Sequence, residues 1–268
     1  MKRQIKEIED HLPTISETLE TLDSMSTEMY LLRYYRIQRV LAKEHLRVIL
    51  DAGCGDGMLL NFLSKVDGSD VYVGIDFSLS KILYAHQEVK VSKRKWREAY
   101  FILADVDYLP LRDCCVNAAV LTEVLEHLPV SYFALLESGR VLVQNGKVVV
   151  TTPSAFKSRG GPLWRLRNLI LCVADKPPKN RQTSLRIDSK ALPHRDFTRS
   201  ELKDLSERVF QITKLQSISF NYVYAMLKRL LPTNVFSALI YYLDVAVSEI
   251  PFLCQTGNYW LVVGAKHR

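Results

Sequence analysis

Within seven residues the chain places two carboxylates and three glycines: Asp51, Gly53, Gly55, Asp56 and Gly57, in the run Val48-Ile49-Leu50-Asp51-Ala52-Gly53-Cys54-Gly55-Asp56-Gly57. Glycine reaches backbone angles closed to other residues and lets a ligand approach the main chain. A phosphate-binding loop gathers N–H groups and positive charge. Acidic side chains in this loop call instead for a ligand with a cationic or hydroxyl-rich part and no phosphate. The residues before the turn form a short apolar strand. Those after it, Met58-Leu59-Leu60-Asn61-Phe62-Leu63, are apolar at helical spacing. Strand, glycine turn and helix start mark the place where open α/β sheets bind nucleotide-like ligands.

Strands and helices alternate from residue 46 onward, the pattern of a parallel sheet. Strands are expected at 48–51, 71–76, 101–103, 116–122 and 147–152, then at 212–220 and 259–265, with a helix near 200–210. In a doubly wound sheet the C-terminal strand ends face one crevice. Four successive ends carry Asp51, Asp76, Asp105 and Glu123, so the topology collects four carboxylates at one edge. Residues 1–45 read as helical, because Leu19, Leu22, Met25, Met29 and Leu32 recur at threes and fours, as do Tyr30, Tyr34, Ile37 and Leu41. Pro13-Thr14 suits a helix start. This segment either packs across the sheet edge or covers the ligand as a lid, with Tyr34, Tyr35 or Arg36 reaching in.

The acidic residue followed by Gly-x-Gly-x-Gly resembles motif I of the class I S-adenosylmethionine-dependent methyltransferases, and the strand-end spacing is similar from residue 47 to 153. The stretch Thr122-Glu123-Val124-Leu125-Glu126-His127-Leu128-Pro129 resembles the Glu-x-x-Glu-His segment of the small-molecule members, which include quinone, lipid and sugar methylating enzymes. Val116-Asn117 departs from the Phe-Asp usual there. The resemblance implies a Rossmann-like, doubly wound seven-stranded α/β sheet with S-adenosyl-L-methionine as cofactor. Gly53 and Gly55 would let its methionine part lie close, with Asp51 near the ammonium and Thr122 and Glu123 along the same side. Asp76 would accept from both ribose hydroxyls, since a carboxylate offers two acceptor oxygens to a vicinal diol. Asp105 would take the adenine amine, with Val106 against the ring and Phe77 and Leu79 completing the lining. A nicotinamide-binding turn would show Gly-x-Gly-x-x-Gly instead. If the acceptor is a hydroxyl, a base is needed, and histidine is the default near neutral pH. His127 and His194 are the two candidates.

The resemblance divides the chain into a helical lid (1–45), a cofactor-binding core (46–153, continued at 194–220 and 257–268) and two additions, 154–193 and 221–256. Residues 157–190 hold nine Lys/Arg and two acidic side chains, so this one segment accounts for the whole net charge of +7. The second addition is apolar and aromatic. Together they suit an amphipathic small-molecule acceptor, lipid-like or anionic, and a peripheral membrane contact. A solvated loop and a helical cap closing its own core are the plainer alternative. The basic segment has a single aromatic, Trp164, so a base-stacking surface for nucleic acid is not evident. RNA or protein methylation and a non-catalytic scaffold are the alternative functions; the intact acidic set argues against the scaffold. Five cysteines without C-x-x-C spacing suggest reduced thiols and a cytoplasmic location. No metal-ligand set is expected.

Overall fold

The computed structural model describes residues 25–42, 46–66, 69–91, 98–155, 195–220, 233–250 and 257–267. In chain order these form α1 (Met25–Leu41), β1 (Val48–Ala52), α2 (Met58–Val66), β2 (Val71–Asp76), α3 (Leu79–Val91) and β3 (Glu98–Leu103). There follow β4 (Val116–Thr122), a 3₁₀ turn (Leu125–His127), α4 (Ser131–Val141), β5 (Leu142–Pro153), α5 (Arg199–Glu207), β6 (Phe210–Ile218), α6 (Thr233–Glu249) and β7 (Tyr259–Lys266).

The strands make one seven-stranded sheet in the order β3-β2-β1-β4-β5-β7-β6. The inner strands are apolar on both sides because helices cover both faces. Period-two alternation sorts their side chains. Ile49, Ala118, Val120 and Val149 point into a cluster with Ile37 and Leu41 of α1 and Leu59, Leu60 and Leu63 of α2. Leu50, Ala119, Leu121, Val148 and Val150 point the other way, against Leu135 and Val141 of α4 and Leu202 of α5. Each such buried valine, leucine or isoleucine side chain contributes about 1.5–3 kcal/mol.

The strand order reverses between β1 and β4, and β1 is parallel to both β2 and β4. That switch point places the end of β1 at the head of the crevice. Of the two late strands, β6 keeps the direction of the parallel strands and β7 departs from it. β7 lies between β5 and β6 and runs antiparallel to both. Apolar periodicity reports which face a residue takes and carries no information on strand direction.

β5 begins five residues earlier than the 147–152 expectation. Asn145 has φ +60° and the register with β4 shifts between Val116 and Ala118, so the strand continues through an irregularity that hid its first half. α5 opens on a reciprocal cap: the Thr198 hydroxyl accepts from the Glu201 N–H, and the Glu201 carboxylate accepts from the Thr198 N–H at 2.9 Å. Pro13-Thr14, the basic segment 157–190, His194 and the first part of the apolar addition (221–232) lie outside the described residues.

Candidate active site

Asp51 stands one residue before the end of β1, in register with Gly74 of β2 and Val120 of β4. It is 1% exposed, and its Oδ1 has no hydrogen-bond partner among the described residues. Burial, and then the charges of Asp76 and Asp56, push its carboxyl up to about 8. A buried acid without a cation is an unfinished electrostatic arrangement: an arriving positive charge would reverse the Asp76 and Asp56 repulsion and favour ionisation.

The chain leaves β1 through Gly53 (φ +86°) and Gly55 (φ +54°), angles that side chains other than glycine rarely adopt. The N–H groups of Gly53 and Cys54 both donate to the Ile75 carbonyl, which bolts the turn to β2. A Cβ on Gly53 would lie 2.3 Å from Cγ2 of Val124, whereas the space above Gly55 is open, the nearest atom being Lys81 Nζ at 3.8 Å. The turn therefore packs tightly on one side and presents bare backbone on the other.

Asp76 ends β2 and is 5% exposed. Its Oδ2 accepts from the Gly55 N–H and its Oδ1 from the Ser78 N–H, each at 2.9 Å. One carboxylate so fixes the glycine turn to the start of α3 and still has lone pairs on both oxygens. Phe77 (70% exposed) and Leu79 (55%) flank it as apolar surface. Asp105 is exposed beyond β3, and its Oδ1 accepts from the Asp107 N–H at 3.0 Å. Val106 is buried in the core beneath that loop. The tips of β1, β2 and β3 thus carry the acidic residues along one edge, as the strand-end reading expected.

At the end of β4, Thr122 Oγ1 is buried without a hydrogen-bond partner among the described residues. Glu123 follows with φ +56°, a costly conformation for a non-glycine residue. Its N–H donates to the Thr151 carbonyl at 3.0 Å, the Thr151 hydroxyl donates to its Oε1 at 3.4 Å, and Arg33 Nη1 lies 3.0 Å from its Oε2. Arg33 comes from α1, is 1% exposed, and its guanidinium sits 4.3 Å over the Tyr259 ring. The N-terminal helix does reach the site, through Arg33 and not through the residues the sequence singled out. Tyr34 and Tyr35 pack on Phe62. Arg36 bonds Ser248 and pairs with Asp244 of α6 at 3.4 Å.

Glu126 is a second residue the sequence reading did not assign. It is 1% exposed in the 3₁₀ turn, and its Oε2 accepts from the Thr152 hydroxyl at 3.0 Å. Burial first, and the Glu123 charge second, push it up to about 8. Its place in the Glu-x-x-Glu-His string was visible; its burial was not. His127 closes the same turn and is exposed, with its N–H bonded to the Val124 carbonyl. The short turn holds it just beyond β4.

Among the described residues no His/Cys/Asp/Glu group has metal-binding geometry, and no helix is long and apolar enough to cross a membrane.

Residues 50–150 match the family described as a methyltransferase domain. A probable S-adenosylmethionine-dependent methyltransferase of Mycobacterium tuberculosis is 26% identical over 136 residues, 50% of this chain and 46% of that protein. The match thus spans about half the length of that relative. Among solved structures, the chain is similar to a geranyl diphosphate C-methyltransferase of Streptomyces coelicolor, a complex with Mg²⁺, geranyl diphosphate and S-adenosyl-L-homocysteine (14% identity, TM-score 0.53, 88% of this chain and 81% of that one). It is equally similar to the [4+2]-cyclase SpnF (16% identity, TM-score 0.54, 86% and 80%). At such identities the likeness establishes the fold, and the two neighbours' different chemistries show that the fold alone does not choose the reaction.

Proposed function

We propose, from the premise that residues 50–150 form a class I S-adenosylmethionine-dependent methyltransferase domain, that the chain transfers a methyl group to a small amphipathic acceptor. The observation that carries the cofactor reading is the buried, unpartnered Asp51 oxygen beside an open glycine backbone and the Asp76 carboxylate. The donor set fits S-adenosylmethionine part by part. Asp51 takes the ammonium. Arg33, the buried cation of the same wall, suits the carboxylate of the amino-acid end, with Glu123 orienting it at 3.0 Å. Asp76 accepts from the ribose diol, and Asp105 from the adenine amine, while Phe77 and Leu79 border the ring.

When bound, the cofactor supplies the sulfonium methyl, and the transfer is an in-line displacement. The protein's share is alignment, exclusion of water and removal of a proton where the acceptor is a hydroxyl. α1 is tied by Arg33 to the end of β4 and by Arg36 to α6, and in this reading it serves to wall the site from solvent. His127, exposed on the rigid turn after β4, is the base in this reading, and His194 is its competitor.

The basic and apolar additions support an acceptor with an anionic head and an apolar body, such as a quinone precursor, a lipid or a polyprenyl-linked molecule. The geranyl diphosphate bound by one structural neighbour has that character. The test is incubation of the full chain with methyl-labelled S-adenosylmethionine and a cell extract separated into lipid, small polar, RNA and protein fractions. Label in the lipid and amphiphile fraction is the expected result. Label confined to RNA or protein would replace this acceptor class. Cofactor binding with no label anywhere would favour a non-catalytic role.

A further inference from the structure

Lys81 lies across the glycine turn. It stands in the first turn of α3 and is exposed. Its Nζ and Cδ are 3.8 and 3.9 Å from the point that a Cβ on Gly55 would occupy, and beyond the turn's own backbone no other atom comes within 4 Å of that point. Helical side chains lean back toward the helix N-terminus. The lean carries Lys81 toward the end of β2, where the Gly55 N–H donates to Asp76. Among the described residues the ammonium has no hydrogen-bond or ion-pair partner. Helix stability does not explain its position. A cation in a first turn opposes the partial positive charge of the unbonded N–H groups there, and α3 has no acidic residue in that turn to offset it.

The diol of the proposed cofactor sets a need that Lys81 can meet. A ribose hydroxyl both donates and accepts, whereas the Asp76 carboxylate only accepts. The main-chain donors beside Asp76 are already committed, because the Gly55 and Ser78 N–H groups both donate to that carboxylate, each at 2.9 Å. The lone pairs of the ribose oxygens are left for another donor. Lys81 brings three N–H groups to the same turn on a stem long enough to follow the ligand.

We propose that Lys81 is a specificity residue of the cofactor site, its ammonium donating to the ribose oxygens whose hydrogens Asp76 takes. The diol then bridges an anion and a cation that form no ion pair with each other. A ligand without the diol leaves both groups unpaired, so the site selects a ribose over a sugar that lacks its hydroxyls. The proposal rests on the cofactor reading and adds to it the donor that Asp76 cannot be.

The probes are S-adenosyl-L-homocysteine and its 2′,3′-dideoxy analogue, titrated calorimetrically into the full chain. The demethylated cofactor carries the ribose without the sulfonium, so repulsion between that charge and Lys81 does not enter. Lys81→Met keeps most of the stem and the helix propensity and removes the charge and the donors. Its circular dichroism and thermal midpoint should match wild type. Wild type should bind the dideoxy analogue about tenfold or more weakly than the parent. Lys81→Met should lose about fivefold or more in affinity for the parent and nothing for the analogue. Equal affinity of wild type and Lys81→Met for the parent would overturn the role of Lys81 and leave the cofactor reading standing. Equal losses for parent and analogue would overturn it too, because the ammonium would then act on some other part of the ligand. Wild type that binds parent and analogue equally would remove the ribose from Asp76 and Lys81 alike. Failure of wild type to bind the parent at all would sink the cofactor reading, and this proposal with it.

Discussion

On the proposed reading, with a hydroxyl acceptor, replacing His127 by alanine should lower methyl transfer by about two orders of magnitude or more, the usual worth of a positioned general base, and leave S-adenosylmethionine affinity near wild type. The ring is exposed at the end of a three-residue turn that follows β4, so its loss opens no cavity in the core. The acidic limb of the pH–rate profile disappears with it, since that limb reports protonation of the base. Label transfer to the acceptor fraction, measured across pH, reads both effects. Normal turnover by His127→Ala with a loss in His194→Ala moves the role to His194. Normal turnover by both means that the acceptor arrives already deprotonated or reacts at carbon, and that the protein contributes alignment alone.

Gly53→Ala strikes the cofactor turn itself. The residue is held at φ +86°, and the added methyl would meet Val124 Cγ2 at 2.3 Å. Backbone strain and overpacking together cost about 2–4 kcal/mol, and relief by movement would carry the turn away from the Ile75 carbonyl that receives the Gly53 and Cys54 N–H groups. Denaturant unfolding should show the destabilisation, and S-adenosylmethionine binding should fall below detection. Adding Val124→Ala should recover part of the stability, because the contact goes while the strained φ stays. A Gly53→Ala protein as stable as wild type, still binding the cofactor, would contradict the packing described for this turn.

The placing of the acidic residues along one sheet edge was legible because it is local. Asp51, the glycine turn and Asp76 are each attached to a strand end, and apolar runs locate strand ends well. Arg33 was hidden for the opposite reason. It sits in a helix whose apolar stripe marks it as one charged residue among many, and its partner Glu123 is ninety residues away in sequence. Glu126 stood in a visible motif, but its burial depends on Thr152 at the end of β5, which spacing cannot reveal. The antiparallel β7 escaped because alternation fixes faces and not directions.

On the proposed reading the acidic edge receives the cofactor's ammonium, and calorimetric titration of S-adenosylmethionine into the chain tests that most directly. With the Asp51 carboxyl pushed up to about 8 in the ligand-free protein, the group is mostly protonated at pH 7. Binding the ammonium requires it ionised, so about one proton should leave on binding at pH 7, and the release should fade as pH rises through 8. The observed heat should therefore vary with the buffer's ionisation enthalpy at pH 7, and the sign of that dependence should reverse by pH 9, where the free cofactor's α-amino group (about 8) has lost its proton and must regain it to bind as ammonium. Asp51→Asn should abolish the proton release at pH 7, and Asp76→Asn should weaken binding about tenfold or more. One-site binding with this proton release is the result the account predicts. No binding, or binding of equal strength in folded Asp51→Asn and Asp76→Asn proteins, would contradict it.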